Sequence, residues 1–262
     1  MKRYGLLGCG ISYSLSPTIH RIILKESGID AEYVLYDKCE KEAEIFLRQM
    51  DFDGINVTVP YKTTAIKYCD ELSVRAAAVG AANTLTRREK SLAADNTDVF
   101  GLEMLYETNA ISFKNQSVVI LGTGGAAKAV KYSLRDEGAK QICCVSRKKQ
   151  RSDVISYEEL AVFEEIDVLF NATALGAGQY KNRMPIGAEV IEKCRCVIDL
   201  NYAPLNSLLL QQAKAMGKTC HNGLDMLIYQ AMKSQEIWNN VAVTKNLYEM
   251  IKHQLIGSGE LK

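Results

Sequence analysis

Lys62 and Asp98 are two residues of this 262-residue chain whose types could do chemistry, since an ammonium can give a proton and a carboxylate can accept one. Lys62 follows the run Gly-Ile-Asn-Val-Thr-Val-Pro at 54–60, and Asp98 closes the run Asp-Asn-Thr-Asp at 95–98. Pro60 ends the expected strand near the carboxyl edge, where open α/β sheets bind ligands, so Lys62 is placed to reach a substrate. Taken singly, each residue has a plainer explanation. A lysine at a helix start is surface charge, and Asp98 reads as a helix N-cap.

The surrounding residues are suited to holding a polar ligand. In the strand expected over 54–60, alternation sends Ile55, Val57 and Val59 to one face and Asn56 and Thr58 to the other. Two polar side chains in a strand fit for burial need partners, and a polyhydroxylated ligand would supply them. The segment Ser-Tyr-Ser-Leu-Ser-Pro at 12–17 reads as a loop running into a helix, with Ser16 capping and Ser14 free. Hydroxyls at a helix N-terminus are equally suited to a carboxylate.

A second constellation lies in the middle of the chain. Gly122-Thr-Gly-Gly-Ala-Ala127 follows an expected strand, Ser117 to Leu121, and opens an expected helix, Ala126 to Glu137. That context is what the Gly-x-Gly-x-x-Gly/Ala dinucleotide fingerprint requires: glycines allow a tight turn and close backbone approach to a pyrophosphate, which the helix N-terminus favours. About twenty residues on, an NAD site carries an acid for the ribose hydroxyls. Here the chain reads Ser146-Arg-Lys-Lys-Gln-Arg151. Arg147 and Arg151 can clamp a 2′-phosphate that an acid would repel, so NADP is expected. The alternative is a solvated basic turn.

The elements that must position these residues follow an α/β pattern. Short Val/Ile/Leu-rich runs alternate with helix-period segments, as in a parallel sheet with helices on its faces. Strands are expected near Tyr4–Leu7, Ala31–Tyr36 and Gly54–Val59, a hairpin over Asn83–Asp95, and further strands at Gln141–Val145, Val168–Asn171, Cys196–Leu200 and Lys218–His221. The polar stretch Glu107 to Gln116 is the expected junction between two domains. A net charge of +1 gives no basic excess for nucleic acid or a membrane surface, so a small molecule is the expected partner. With neither a signal peptide nor a spanning apolar run, a cytoplasmic location is expected. The eight cysteines show no C-x-x-C spacing and the three histidines no paired spacing, so no metal site is expected.

Taken in order, Ser-x-Ser-Pro, Asn-Val-Thr-Val-Pro-x-Lys, Gly-Ala-x-Asn-Thr, Asp-Asn-Thr-Asp, Gly-x-Gly-Gly-Ala and Gly-Leu-x-Met-Leu-x-x-Gln-Ala resemble shikimate dehydrogenase along nearly the whole chain. The resemblance implies an N-terminal α/β substrate-binding domain and a Rossmann-type NADP-binding domain separated by a cleft, with the C-terminal helices returning to the first. The expected division is 1–106 plus 230–262 for the catalytic domain and 107–229 for the cofactor domain. It further implies that Lys62 and Asp98 are the catalytic pair, that Ser14, Ser16 and Tyr202 hold the substrate carboxylate, and that Asn56, Thr58, Asn83 and Gln230 surround the ring oxygens. Gly122, Gly124, Gly125, Ala126, Ser146, Arg147 and Arg151 would hold NADP(H). The implied reaction is NADPH-dependent reduction of 3-dehydroshikimate, by a monomer or a homodimer. The alternatives are a quinate or dual quinate/shikimate dehydrogenase and a ligand-binding regulatory module without catalysis. Asn171 to Ala177 keeps Asn-Ala-Thr but lacks the usual Ser and Met, which bears on packing around the nicotinamide.

Overall fold

The computed structural model describes residues 1–135, 137–147, 154–259 and 261. It is an α/β protein of two compact units: Met1–Gly101 with Leu227–Ser258, and Leu102–Met226 with Gly259–Lys262.

The first unit opens with β1 (Lys2–Gly8), α1 (Ser16–Glu26), β2 (Ala31–Asp37), α2 (Glu40–Gln49) and β3 (Gly54–Val57). The short β4 (Glu71–Leu72) and α3 (Val74–Val79) precede a hairpin of β5 (Thr84–Arg88) and β6 (Ser91–Asp95), and α4 spans Thr97–Thr108. The sheet runs β2-β1-β3-β5-β6-β4. It is mixed rather than parallel throughout: β1, β2 and β3 are parallel, whereas β5 runs antiparallel to both β3 and β6. The reason is local, since a two-residue connection such as Glu89-Lys90 can only return the chain antiparallel. One core cluster joins Leu7, Ile55, Val57, Leu85 and Leu92 to Phe46 and Leu47 of α2.

Strand β3 is shorter than its alternation suggests. It ends at Val57, the bond Val59–Pro60 is cis, and Val59 is 59% exposed instead of joining the face of Ile55 and Val57. The helix start also differs from expectation. Ser16 lies inside α1, and its N–H donates to Ser14 Oγ at 3.2 Å, so Ser14 serves the helix end and is not free.

In the second unit, β7 (Ser117–Leu121), α5 (Gly125–Ser133), β8 (Gln141–Val145), β9 (Val154–Ile155), β10 (Ile166–Asn171), α6 (Ala188–Glu192), β11 (Cys194–Asp199), α7 (Leu208–Ala215) and β12 (Thr219–Asn222) follow in order. Its sheet is β12-β11-β10-β7-β8-β9, parallel in every pairing. Counted within the unit, that order is 6-5-4-1-2-3, the doubly wound Rossmann arrangement, whose order reverses beside its first strand. Val119 and Leu121 of β7, Leu169 of β10 and Val197 of β11 form the buried centre, as apolar strands covered on both faces must.

The chain closes with α8 (Leu224–Asn239) and α9 (Lys245–Ser258). The unit boundaries fall inside α4 and α8, ahead of the polar stretch 107–116, and the last four residues group with the second unit, where the Leu205 N–H reaches Leu261 O at 3.3 Å. Trp238 of α8 sits against Gly54 so closely that a Cβ there would lie 2.5 Å from the indole. Its Nε1–H donates to Leu85 O at 3.1 Å, so the end of α8 is fastened to β3 and β5. Among the described residues no helix is long and apolar enough to cross a membrane, and no group of three His, Cys, Asp or Glu side chains could hold a metal ion.

Candidate active site

Lys62 sits on a single 3-10 turn, Tyr61–Thr63, that β3 runs into. The turn is pinned at both ends: the Tyr61 N–H donates to Thr58 O and the Ala82 N–H to Lys62 O, each at 2.8 Å. Asp98 lies in the first turn of α4, where the helix dipole favours a carboxylate. The two side chains meet, Lys62 Nζ to Asp98 Oδ2 at 2.7 Å, with the lysine side chain 15% exposed and the aspartate 4%. Burial to that degree costs solvation of both ions, and a partner in good geometry offsets it. The lysine keeps a path to solvent while the carboxylate does not.

The other oxygen of Asp98 accepts from Asn83 Nδ2 at 2.9 Å. Asn83 is itself fixed: its Oδ1 accepts from the Thr97 N–H at 2.7 Å, and its Nδ2 also approaches Gln230 Oε1 at 3.3 Å. Gln230, on α8, donates to Leu227 O at 2.9 Å. Lys62, Asn83, Asp98 and Gln230 thus form one contiguous buried set built from four separate stretches of chain.

Asn56 belongs to this set in a different way from that expected. It is buried and its bonds are made inside the unit: Oδ1 accepts from Tyr33 OH at 2.8 Å, while Nδ2 reaches Ser234 Oγ at 2.9 Å and both Thr84 Oγ1 and Asn83 O at 3.1 Å. The polar partners inferred from its strand position are protein groups. Thr58 is half-buried, its methyl lying where a Cβ on Gly8 would come within 2.6 Å.

Ser14 and Ser16 form a pair of their own, with the Ser14 hydroxyl donating to Ser16 Oγ at 3.2 Å. Asp37, which no motif singles out, anchors their loop by accepting from the N–H groups of Gly10 and Ile11 at 2.8 and 3.1 Å. On the buried face of α1, His20 is fully buried, stacked on Tyr33 and hydrogen-bonded through Nδ1 to Gln235 at 2.8 Å. Burial pushes its imidazole down to about 3, so it is neutral at any working pH.

In the second unit, the fingerprint turn joins β7 to α5. Gly122 has φ +109 and packs against Ala172 O, where a Cβ would come within 3.1 Å. Gly124 faces open space, and the first helical bond from it is Lys128 N–H to Gly124 O at 3.0 Å. The N–H groups of Gly125, Ala126 and Ala127 therefore lie ahead of the helix's own bonding, as an anion site at a helix N-terminus requires. This turn fits a dinucleotide pyrophosphate. Ser146 follows β8, its N–H bonded to Ile155 O at 2.9 Å, and Arg147 is exposed beside it. Arg151 lies outside the described residues.

A second buried carboxylate, Asp199, stands at the end of β11. It is 0% exposed. It accepts from Ser207 Oγ at 2.6 Å, from Asn171 Nδ2 and Asn201 Nδ2 at 2.9 Å, and from the Asn201 N–H at 3.1 Å. Burial pushes its carboxyl up to about 6 in spite of these donors. The group ties together the loops that follow β10 and β11, the second of which carries the half-buried Tyr202.

The model of the shikimate dehydrogenase substrate binding domain matches residues 6–85. An NADP(+) shikimate dehydrogenase of Clostridium perfringens is 35% identical, covering 96% of this chain and 99% of that protein. The chain belongs to the shikimate dehydrogenase family. Among solved structures, shikimate dehydrogenase 1 from Peptoclostridium difficile superposes with a TM-score of 0.93 at 34% identity, over 98% of this chain and 99% of that one. Shikimate 5-dehydrogenase from Thermus thermophilus, determined in complex with NADP(H) and shikimate, has a TM-score of 0.84 at 29% identity, covering 97% and 99%. Both shikimate dehydrogenase structures share the two-unit α/β fold described above.

Proposed function

We propose that this protein is an NADP-dependent shikimate dehydrogenase that reversibly reduces 3-dehydroshikimate to shikimate, a step toward aromatic amino acids. Full-length similarity to enzymes of that name supports the activity. The observation that carries the chemistry is the 2.7 Å contact of Lys62 with Asp98 in a largely dry setting.

NADPH, when bound, supplies the hydride that the ring carbon receives. The unit containing Met1–Gly101 and Leu227–Ser258 binds the substrate in this reading, and the unit around the glycine turn binds the cofactor. Lys62 donates its proton to the oxygen of the former ketone, and Asp98 holds the ammonium charged and aimed until then. Ser14, Ser16 and Tyr202 receive the carboxylate, while Thr58, Asn83 and Gln230 face the ring oxygens. Asn56 orders Asn83 and Ser234 rather than touching the ligand. The N–H groups of Gly125 and Ala126 take the pyrophosphate, and Ser146 and Arg147, with Arg151, take the 2′-phosphate. The enzyme acts in the cytoplasm on a small-molecule substrate, as a monomer or a homodimer.

Purified protein mixed with NADPH and 3-dehydroshikimate should lose nicotinamide absorbance. A parallel reaction with quinate and NAD should be slow by comparison; equal or faster turnover there makes the protein a quinate or dual enzyme. Binding of shikimate without turnover in either arm would make it a sensor.

A further inference from the structure

Three hydroxyls to which the proposed function gives no part close a ring behind Asn83. Thr84 Oγ1 lies 3.0 Å from both Thr97 Oγ1 and Ser234 Oγ, and Thr97 Oγ1 lies 3.2 Å from Ser234 Oγ. All three residues are buried, and they arrive on β5, α4 and α8.

Each hydroxyl has one proton to give and two lone pairs to offer, so the ring has a direction. Ser234 donates to Gln230 O at 2.9 Å, one turn back along α8, which leaves its oxygen to accept from Thr97 Oγ1 and from Asn56 Nδ2. Asn56 Nδ2 feeds the ring at Ser234 Oγ and at Thr84 Oγ1. Thr84 passes its own proton to Asn83 Oδ1 at 3.1 Å, the oxygen that also receives the Thr97 N–H at 2.7 Å. A backbone N–H can only donate, which fixes which end of the Asn83 amide is oxygen. The nitrogen end then donates to Asp98 Oδ1 and to Thr97 Oγ1, each at 2.9 Å.

We infer that Thr84 and Ser234 are positioning residues for the reduction: with Thr97 they lock the Asn83 amide, and Asn83 holds the Asp98 oxygen that Lys62 does not use. The inference rests on the reading of Lys62 and Asp98 as the proton-transfer pair. An Asp98 that has lost the Asn83 donor is no longer aimed from two sides, so the ammonium it holds is misplaced for the transfer.

The test is kcat and KM for shikimate oxidation in Thr84→Val, Thr84→Ser, Ser234→Ala, Asp98→Asn and the double variant Asp98→Asn/Thr84→Val. Thr84→Val should lower kcat about tenfold, the rate equivalent of one hydrogen bond between neutral groups. KM for NADP(+) should stay unchanged while kcat falls. Thr84→Ser should restore kcat. In the Asp98→Asn background the valine should have no further effect on kcat, because the group it acts through is already altered. A folded Thr84→Val enzyme with wild-type kcat overturns the inference, as does an equal loss in the Asp98→Asn background. Should the valine variant fail to fold, Ser234→Ala breaks the same ring from a helix that tolerates alanine, with the same expected signs and the same overturning result. Near wild-type turnover in Asp98→Asn would instead sink the proton-transfer reading itself, whatever Thr84 does.

Discussion

Asp98 of the first unit and Asp199 of the second are both buried carboxylates, and their surroundings differ in one respect that separates their roles. Asp98 meets an ammonium. The four hydrogen bonds described for Asp199 come from neutral donors, and its carboxyl rises to about 6. A carboxylate whose charge is matched by a movable cation can take part in a proton's transfer. One matched only by amides and a hydroxyl can tie loops together but has no charge partner to release. The difference lies in the partner and not in the degree of burial.

The largest expected effect comes from removing that partner. Lys62→Ala should lower kcat by about two to four orders of magnitude, the scale of a lost general acid, while cofactor affinity measured by fluorescence titration hardly changes. Turnover close to wild type would erase the contrast between the two carboxylates.

Asp199 should reveal itself in stability instead. A carboxyl whose folded value lies above its unfolded one binds its proton more tightly in the folded chain, so its contribution is complete below the unfolded value and is lost as pH rises through the folded one. Relative to Asp199→Asn, the wild type should lose about 3 kcal/mol of unfolding free energy between the ordinary carboxylate value of 3.8 and about 6, then level off. Urea unfolding at stepped pH measures it. A constant difference across that window would mean that Asp199 titrates alike in both states.

The proton balance gives a third, smaller effect. Oxidation of shikimate needs Lys62 to have released its proton, so its rate should rise by up to about tenfold per pH unit on the alkaline side, and Lys62→Ala should lose that rise. A flat profile with chemistry rate-limiting would count against the pair. The smallest effect belongs to the cofactor unit: Arg147→Ala should weaken NADPH about tenfold more than NADH, the worth of one charge-assisted hydrogen bond. Equal weakening of both would remove the 2′-phosphate from this residue.

What could be read from the sequence was local. The strand Ser117–Leu121, its glycine turn and the strand Gln141–Val145 have the bounds expected of them, because a buried parallel strand and a turn needing positive φ leave marks within a few residues. Lys62 and Asp98 are separated by 35 intervening residues, and no periodicity links them; only the order of motifs suggested that they meet. Alternation placed Asn56 on a polar face but could not say that Tyr33, Ser234 and Thr84 would occupy it. Thr84 and Ser234 looked like ordinary strand and helix residues, since a hydroxyl's partner lies in the fold and not beside it in the chain. Asp199 carried no signal either: it lies inside the expected strand Cys196–Leu200, and nothing beside it in the chain marks its partners. Val59 failed for the opposite reason, a local rule extended past Val57, where the strand ends.

The indole of Trp238 over Gly54 joins parts of one unit that lie 184 positions apart, while the other unit is, apart from its last four residues, one unbroken run. During synthesis the ribosome must therefore complete Leu102–Met226 of the second unit before it delivers the piece that closes the first. The nucleotide-binding half should become protease-resistant on the nascent chain while the substrate-binding half is still open, and a stop codon ahead of Trp238 should leave that half without its closing piece.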